Sequence, residues 1–227
     1  MNPVDWKNVD TVLLDMDGTL LDLHFDNYFW LEHLPNRYAE QRGVGPDEVR
    51  EQLLADMDAI RGQLDWYCLA YWSERLDMDM LTLKEEIRHK IAIRPHTEAF
   101  LEGLLGAGKR VILATNAHRD ALGLKLRETA IDQWLHSVVS SHDFRHPKEA
   151  QDFWVALQES EPFDPARTLF VDDSLPVLRS AHKYGIRHLL CVRQPDSRGP
   201  VREIDEFPAI THFDEVMPIE SAQDVNG

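Results

Sequence analysis

Short, nearly continuous apolar runs recur along this chain, separated by segments with helical patterning, and that alternation narrows the possible folds to one class. Val9–Asp15, Arg110–Thr115, Thr168–Asp172 and His188–Val192 are such runs, and His136–Ser140 is a weaker one. Runs that are apolar on consecutive residues suit strands covered on both faces, as in a parallel sheet. Helical patterns over Thr97–Ala107, Ala121–Thr129, Glu149–Ser160 and Leu175–Tyr184 lie between them, with Gly185 placed as a helix stop. The expected fold is α/β: a Rossmann-like, doubly wound parallel sheet with right-handed crossovers.

One interval breaks the rhythm. Leu23–Ile93 carries helical patterns and no convincing strand, and it is too long for a plain loop. It reads as an all-helical cap inserted after the first strand. The expected division is a core of residues 1–22 and 94–227 and a cap of residues 23–93. Hinges are expected near Asp22–Asp26 and Ile93–Thr97. Beyond Gln194 the chain is rich in proline and acidic residues, and a surface-hugging tail is expected.

Composition excludes several function classes. At 43% hydrophobic residues, wholesale disorder is ruled out. A net charge of −16 makes a nucleic acid polymer or an anionic membrane a poor partner. No run approaches the ~20 apolar residues of a membrane-spanning helix. Met1–Trp6 shows neither the cationic start nor the apolar stretch of a secretory signal. Two cysteines, Cys68 and Cys191, cannot build a disulfide scaffold, so reduced thiols and a cytoplasmic location are expected. The oligomeric state is left open.

The chemistry collects at strand ends. The first strand runs into Asp15-Met16-Asp17-Gly18-Thr19. Side chains two apart on extended backbone point the same way, so Asp15 and Asp17 should converge beyond the strand's carboxyl end. Ligands of open α/β sheets bind there. The fourth strand ends in Asp172-Asp173-Ser174. Four converging carboxylates repel, and a hard divalent cation such as Mg²⁺ relieves that repulsion. Thr115 and Asn116 end the second strand, where a hydroxyl and backbone N–H groups can hold an anion. Lys148 can add a fixed positive charge.

This order is Asp-x-Asp-Gly-Thr, a strand-terminal Thr, a Lys, then Asp-Asp. It resembles the haloacid dehalogenase superfamily, with all four sequence motifs in place. Val9–Asp22, Phe25–Trp30, Trp66–Leu69, Tyr71–Glu74, Thr115–His118 and Pro195–Ser197 further resemble bacterial GMP/IMP nucleotidases of that superfamily. The resemblance implies a Mg²⁺-dependent phosphatase that hydrolyses purine nucleoside 5′-monophosphates, GMP and IMP, through an aspartyl-phosphate. Asp15 would be the nucleophile, Asp17 the acid and base, and Lys148 a catalytic cation. Asp15, the Asp17 carbonyl, Asp172 and, through water, Asp173 would serve the metal. Thr115 and Asn116, with Asn27 and Trp30 near the hinge, are expected substrate contacts. A phosphatase for a sugar phosphate or phosphoglycolate, and a non-catalytic phospho-acceptor, remain alternatives.

Other motifs read as structural. Gly103–Arg110 nearly spells a P-loop, but Arg110 stands where the metal-binding hydroxyl belongs and the run precedes a strand. His142 and His146 are four apart, yet Pro147 and the missing glutamate argue against a zinc protease motif, and no metal is assigned to them. The aromatics Trp66, Tyr67, Tyr71 and Trp72 read mainly as helical packing.

Overall fold

The computed structural model describes residues 3–220. β1 (Thr11–Leu14) pairs in parallel with β2 (Arg110–Thr115) on one side and β4 (Thr168–Asp172) on the other. With β3 (Ser137–Ser140), β5 (His188–Val192) and β6 (Ala209–Ile210), they form a six-stranded parallel sheet of order β3-β2-β1-β4-β5-β6. The order in which strands are added reverses beside β1, so the ends of β1, β2 and β4 share one crevice. Leu14 lies beside both Leu113 and Val171, which sets Asp15 next to Asp172.

The strands are buried on both faces, and their side chains divide with period two. Val12, Leu14, Val111, Leu113 and Val171 join one core. Phe100, Leu101 and Leu104 of α7 (Thr97–Gly106) complete that side. Leu13, Ile112, Ala114 and Phe170 join the other, under Phe153, Trp154 and Leu157 of α10 (Gln151–Ser160) and Val177, Leu178 and Ala181 of α11 (Leu175–Tyr184). Each large side chain so buried contributes roughly 1.5–3 kcal/mol. Gly185 ends α11 at φ 112, a conformation that needs glycine.

Residues 24–90 are helical, with α1 (His24–Tyr28), α2 (Leu34–Arg42), α3 (Pro46–Ala59), α4 (Leu64–Tyr67), α5 (Leu69–Leu76) and α6 (Met80–Glu86). They bury their own cluster around Phe29, Leu53, Trp72 and Leu83. That cluster includes Ala121 and Leu124 of α8 (Arg119–Thr129), so the insert rests on the helix after β2. The chain leaves and re-enters side by side. Leu21 forms an antiparallel bridge with Ile93, and the Asp22 N–H donates to the Ala92 carbonyl at 2.9 Å.

Two expectations need adjusting. The first strand is shorter than Val9–Asp15, because the Val9 N–H closes a 3₁₀ turn over Trp6–Asn8. The tail is more than a surface strap: it supplies β6, and Phe213 stacks on Phe100 at 4.2 Å and 11°. Its last residues, 221–227, lie outside the described residues, as do Met1 and Asn2 of the supposed leader-free start. His142 and His146 do not share a helix, since α9 (Ser141–Phe144) stops at Arg145 with φ 60. Among the described residues no helix is long and apolar enough to cross a membrane.

Candidate active site

Asp15 follows β1 directly, and its N–H still donates to the Val171 carbonyl at 3.0 Å. That bond fixes the carboxylate at the sheet edge, where it is 6% exposed. Lys148 reaches it from the loop after α9. Its Nζ lies 2.5 Å from Asp15 Oδ1 and 2.7 Å from Asp172 Oδ2. Burial works against the charge on Lys148, but the two aspartates outweigh it and hold the ammonium pKa above its usual value. Burial pushes Asp15 up to about 6 against the pull of Lys148, and it raises Asp172 likewise.

Asp15, Asp172 and Asp173 offer oxygens that all lie within 4.8 Å of one another. Burial, with Asp172 and Asp15 adjacent, pushes Asp173 well above the usual carboxylate range. Three crowded hard oxygen donors with raised pKa values suit Mg²⁺, which neutralises such repulsion. Gly18 makes the close approach possible. At φ 85, a Cβ there would come 2.8 Å from Pro195 Cβ and 2.9 Å from Asp173 Cγ. The donor set and the glycine fit a small divalent cation.

Asp17 places no carboxylate in that cluster. Its Oδ1 accepts from Lys125 Nζ at 2.6 Å, and the same ammonium donates to Asp26 Oδ2 at 2.7 Å. Lys84 closes the far side of Asp26 at 2.7 Å. Burial raises Asp17 to about 6, with Lys125 opposing and Asp26 adding to the rise. Asp26 goes the other way: burial resists ionisation, but Lys125 and Lys84 hold its carboxyl well below the usual range. Lys84 also lies over the Phe29 ring at 4.2 Å.

Thr115 and Asn116 end β2 as expected, but both side chains have internal work. Thr115 Oγ1 accepts from the Ala117 N–H at 3.0 Å, shaping the turn. Asn116 Oδ1 accepts from the Lys148 N–H at 2.9 Å and its Nδ2 donates to Glu149 Oε2 at 3.0 Å. Asn116 therefore fixes the loop that carries Lys148. Tyr67 of the insert donates to Glu149 Oε1 at 2.6 Å, which ties α4 to the same loop.

Asn27 and Trp30 make their contacts with residues other than the clustered carboxylates. Asn27 Nδ2 donates to Asp196 Oδ2 at 2.7 Å. Trp30 packs edge-on against Phe29 at 4.9 Å and Trp72 at 5.6 Å. The Pro195–Ser197 turn gathers the linkers: the Pro195 carbonyl accepts from Leu23 N–H at 3.0 Å, and Asp22 Oδ1 accepts from Ser197 N–H at 3.0 Å. Buried Arg94 donates to the Gln194 carbonyl at 2.5 Å and to the Thr211 carbonyl at 2.8 Å.

Lys125 is a residue that the order of motifs did not single out, because it does not follow the third strand. A signal was present: it lies among Ala121, Leu122 and Leu124, all buried on α8. A lysine in an apolar stripe needs a buried partner. Lys84, beside buried Met80 and Leu83, carries the same signal. Lys109 of the near P-loop is buried too, donating at 2.8 Å to the carbonyls of Trp6 and Val9, away from the site.

Comparison with known proteins agrees with this geometry. The family model described as haloacid dehalogenase-like hydrolase matches residues 9–185. The GMP/IMP nucleotidase YrfG of Escherichia coli K12 is 41% identical over 215 residues, covering 95% of this chain and 97% of that one. Among solved structures, a HAD phosphatase from Thermococcus onnurineus superposes with a TM-score of 0.72 at 24% identity, covering 84% of this chain and 89% of that one. The L-2-haloacid dehalogenase of Xanthobacter autotrophicus superposes at 0.51 and 17% identity, covering 82% and 78%. The motifs in order, the parallel sheet and a family match over most of the chain make this protein an enzyme of the haloacid dehalogenase-like hydrolase family.

Proposed function

We propose that this enzyme is a Mg²⁺-dependent phosphatase acting on purine nucleoside 5′-monophosphates, with GMP and IMP as substrates. The observation that carries phosphatase chemistry is the pair Asp15 and Asp17, two residues apart, each held by its own buried lysine. The purine assignment is supported by the GMP/IMP nucleotidase that shares 41% identity along 95% of this chain.

Asp15 attacks phosphorus in line and forms an aspartyl-phosphate, releasing the nucleoside oxygen. Lys148 stands against that carboxylate and offsets the charge that builds on the phosphoryl oxygens. Thr115 and the N–H groups after it cradle the phosphate, with Asn116 holding the Lys148 loop. Asp17 gives its proton to the leaving oxygen and then takes one from the water that cleaves the intermediate. Lys125 aims Asp17 for both steps. Asp15, Asp172, Asp173 and the Asp17 carbonyl are the residues that would hold Mg²⁺, which when bound supplies positive charge to the transferring phosphoryl group. Asn27 and Trp30 we assign to linker and insert packing, because the Asn27 amide is held by Asp196 and the Trp30 ring lies against Trp72.

Residues 23–93 act as a cap over a core of residues 1–22 and 94–227, and closure excludes water from the first step. The test is a panel of phosphate esters with purified protein and Mg²⁺. GMP and IMP should give the highest kcat/KM. Sugar phosphates or phosphoglycolate exceeding them tenfold would sink the purine assignment. A single turnover without release of phosphate would mark a phospho-acceptor instead.

A further inference from the structure

A second group of metal-ligating side chains sits where the insert meets the sheet. Cys68 lies between α4 and α5, His118 starts α8, and His142 lies in α9 after β3. Their ligand atoms all fall within 4.8 Å of one another. None of the three belongs to the carboxylate cluster.

Several observations mark the group as more than a surface coincidence. His142 Nε2 is buried with no hydrogen-bond partner among the described residues. A buried ring nitrogen left unpaired is disfavoured unless something satisfies it. The His118 and His142 rings meet edge-on at 5.0 Å. Burial, with His118 beside it, lowers His142 to about 4, so the ring is neutral and its lone pair is available to a metal. Asp65 and Asp143 add negative charge facing that ring. The donor set is one sulfur and two imidazoles, which selects a soft or borderline cation over Mg²⁺.

We infer that Cys68, His118 and His142 form a binding site for a zinc-class divalent cation that pins the helical insert to the sheet. Tetrahedral zinc, with bonds of about 2.0–2.3 Å, would draw the three donors to about 3.5 Å apart, a change that side-chain rotation supplies. The fourth position is left to water. The Cys68 thiol gives up its proton on binding, and the proton passes to solvent. The cation would join α4–α5 to the ends of β2 and β3, beside the existing Tyr67–Glu149 tie. Bound, it holds the insert against the sheet; removed, it frees the junction.

The experiment is titration of the full-length, reduced protein with Co²⁺ in saturating Mg²⁺, which fills the carboxylate cluster. One equivalent should bind with an intense thiolate-to-cobalt charge-transfer band and tetrahedral visible bands. Cys68→Ser should lose the charge-transfer band, and His142→Gln should weaken binding at least tenfold. Zn²⁺ should slow amide exchange over residues 64–76 in the wild type and not in Cys68→Ser. Co²⁺ showing only weak octahedral absorption, or binding equally to all three proteins, would overturn the site. Binding without any change in exchange would overturn the pin. No substrate is used, so the outcome is independent of the phosphatase proposal.

Discussion

Lys125 Nζ donates to Asp17 Oδ1 at 2.6 Å from α8, the helix that follows β2. This ammonium, shared with Asp26, pulls Asp17 down against the burial that lifts it to about 6. Lys125→Met should therefore raise the Asp17 pKa further. In the proposed role of acid Asp17 must be protonated, so activity should fall as pH rises through its pKa. The alkaline limb of kcat/KM should move to higher pH in the variant, with kcat reduced at least tenfold. A pH–rate profile superimposable on wild type would remove Lys125 from this role.

Asp15→Asn removes the proposed nucleophile while keeping its size. Turnover should fall by about 1,000-fold or more, with an unchanged circular dichroism spectrum. Retention of a tenth of wild-type activity in the folded variant would take Asp15 out of that role.

Asp15 also makes stability depend on pH. Its folded value of about 6 lies above its ordinary 3.8, so the native state holds that proton more tightly. The favourable contribution is complete below about pH 4 and is lost as pH rises through about 6, amounting to about 3 kcal/mol for the group. Metal-free protein should lose stability over that window. If the cluster holds Mg²⁺ as proposed, the cation takes the ionised carboxylates and should raise Tm more at pH 7.5 than at pH 5. Equal Tm shifts at both pH values would argue against the cluster as the metal site.

Asp26 carries the opposite sign. Its carboxyl is held well below the usual range, so its contribution is present above about pH 4 and lost as pH falls toward the folded value. Asp26→Asn leaves the buried Lys84 ammonium without its carboxylate and Lys125 with Asp17 alone. The expected loss is about 3–5 kcal/mol, read by urea unfolding at pH 7. A loss under 1 kcal/mol would show that these lysines find other partners.

Gly18→Ala tests the approach of backbone to carboxylate. The new Cβ would press on Pro195 and Asp173, at a φ that disfavours side chains by about 1–2 kcal/mol. Mg²⁺ affinity, measured by calorimetry, should fall at least tenfold. Unchanged affinity would mean that Asp173 is not held by this contact.

Much of the fold was legible because each strand is a continuous apolar run, and β2, β4 and β5 begin and end where those runs do. Asp15, Asp172 and Asp173 were legible for a related reason: strand ends in a parallel sheet share one edge, although Asp17, expected to converge with them, turns to Lys125 instead. β6 was not, since two residues leave no periodicity and its pairing depends on β5. The lysine partners of Asp17 and Asp26 were not either. Lys125 lies 108 residues from Asp17 in sequence, and the pairing of β1 with β2 brings them together, while docking of the insert on α8 adds Asp26 and Lys84. Nor was the bond from Asn27 to Asp196 legible, since the two lie 169 residues apart.

The Leu21–Ile93 bridge has a bearing on how such a chain can vary. Bridged backbones run about 5 Å apart, so everything between them hangs from a doorway one strand spacing wide. A helical segment of any length or shape whose ends meet that spacing could be spliced there without shifting a single rung of the sheet. Substrate range could then diverge through residues 24–90 while Asp15, Asp172 and Lys148 stayed in place, making the doorway a natural graft point for exchanging inserts between relatives.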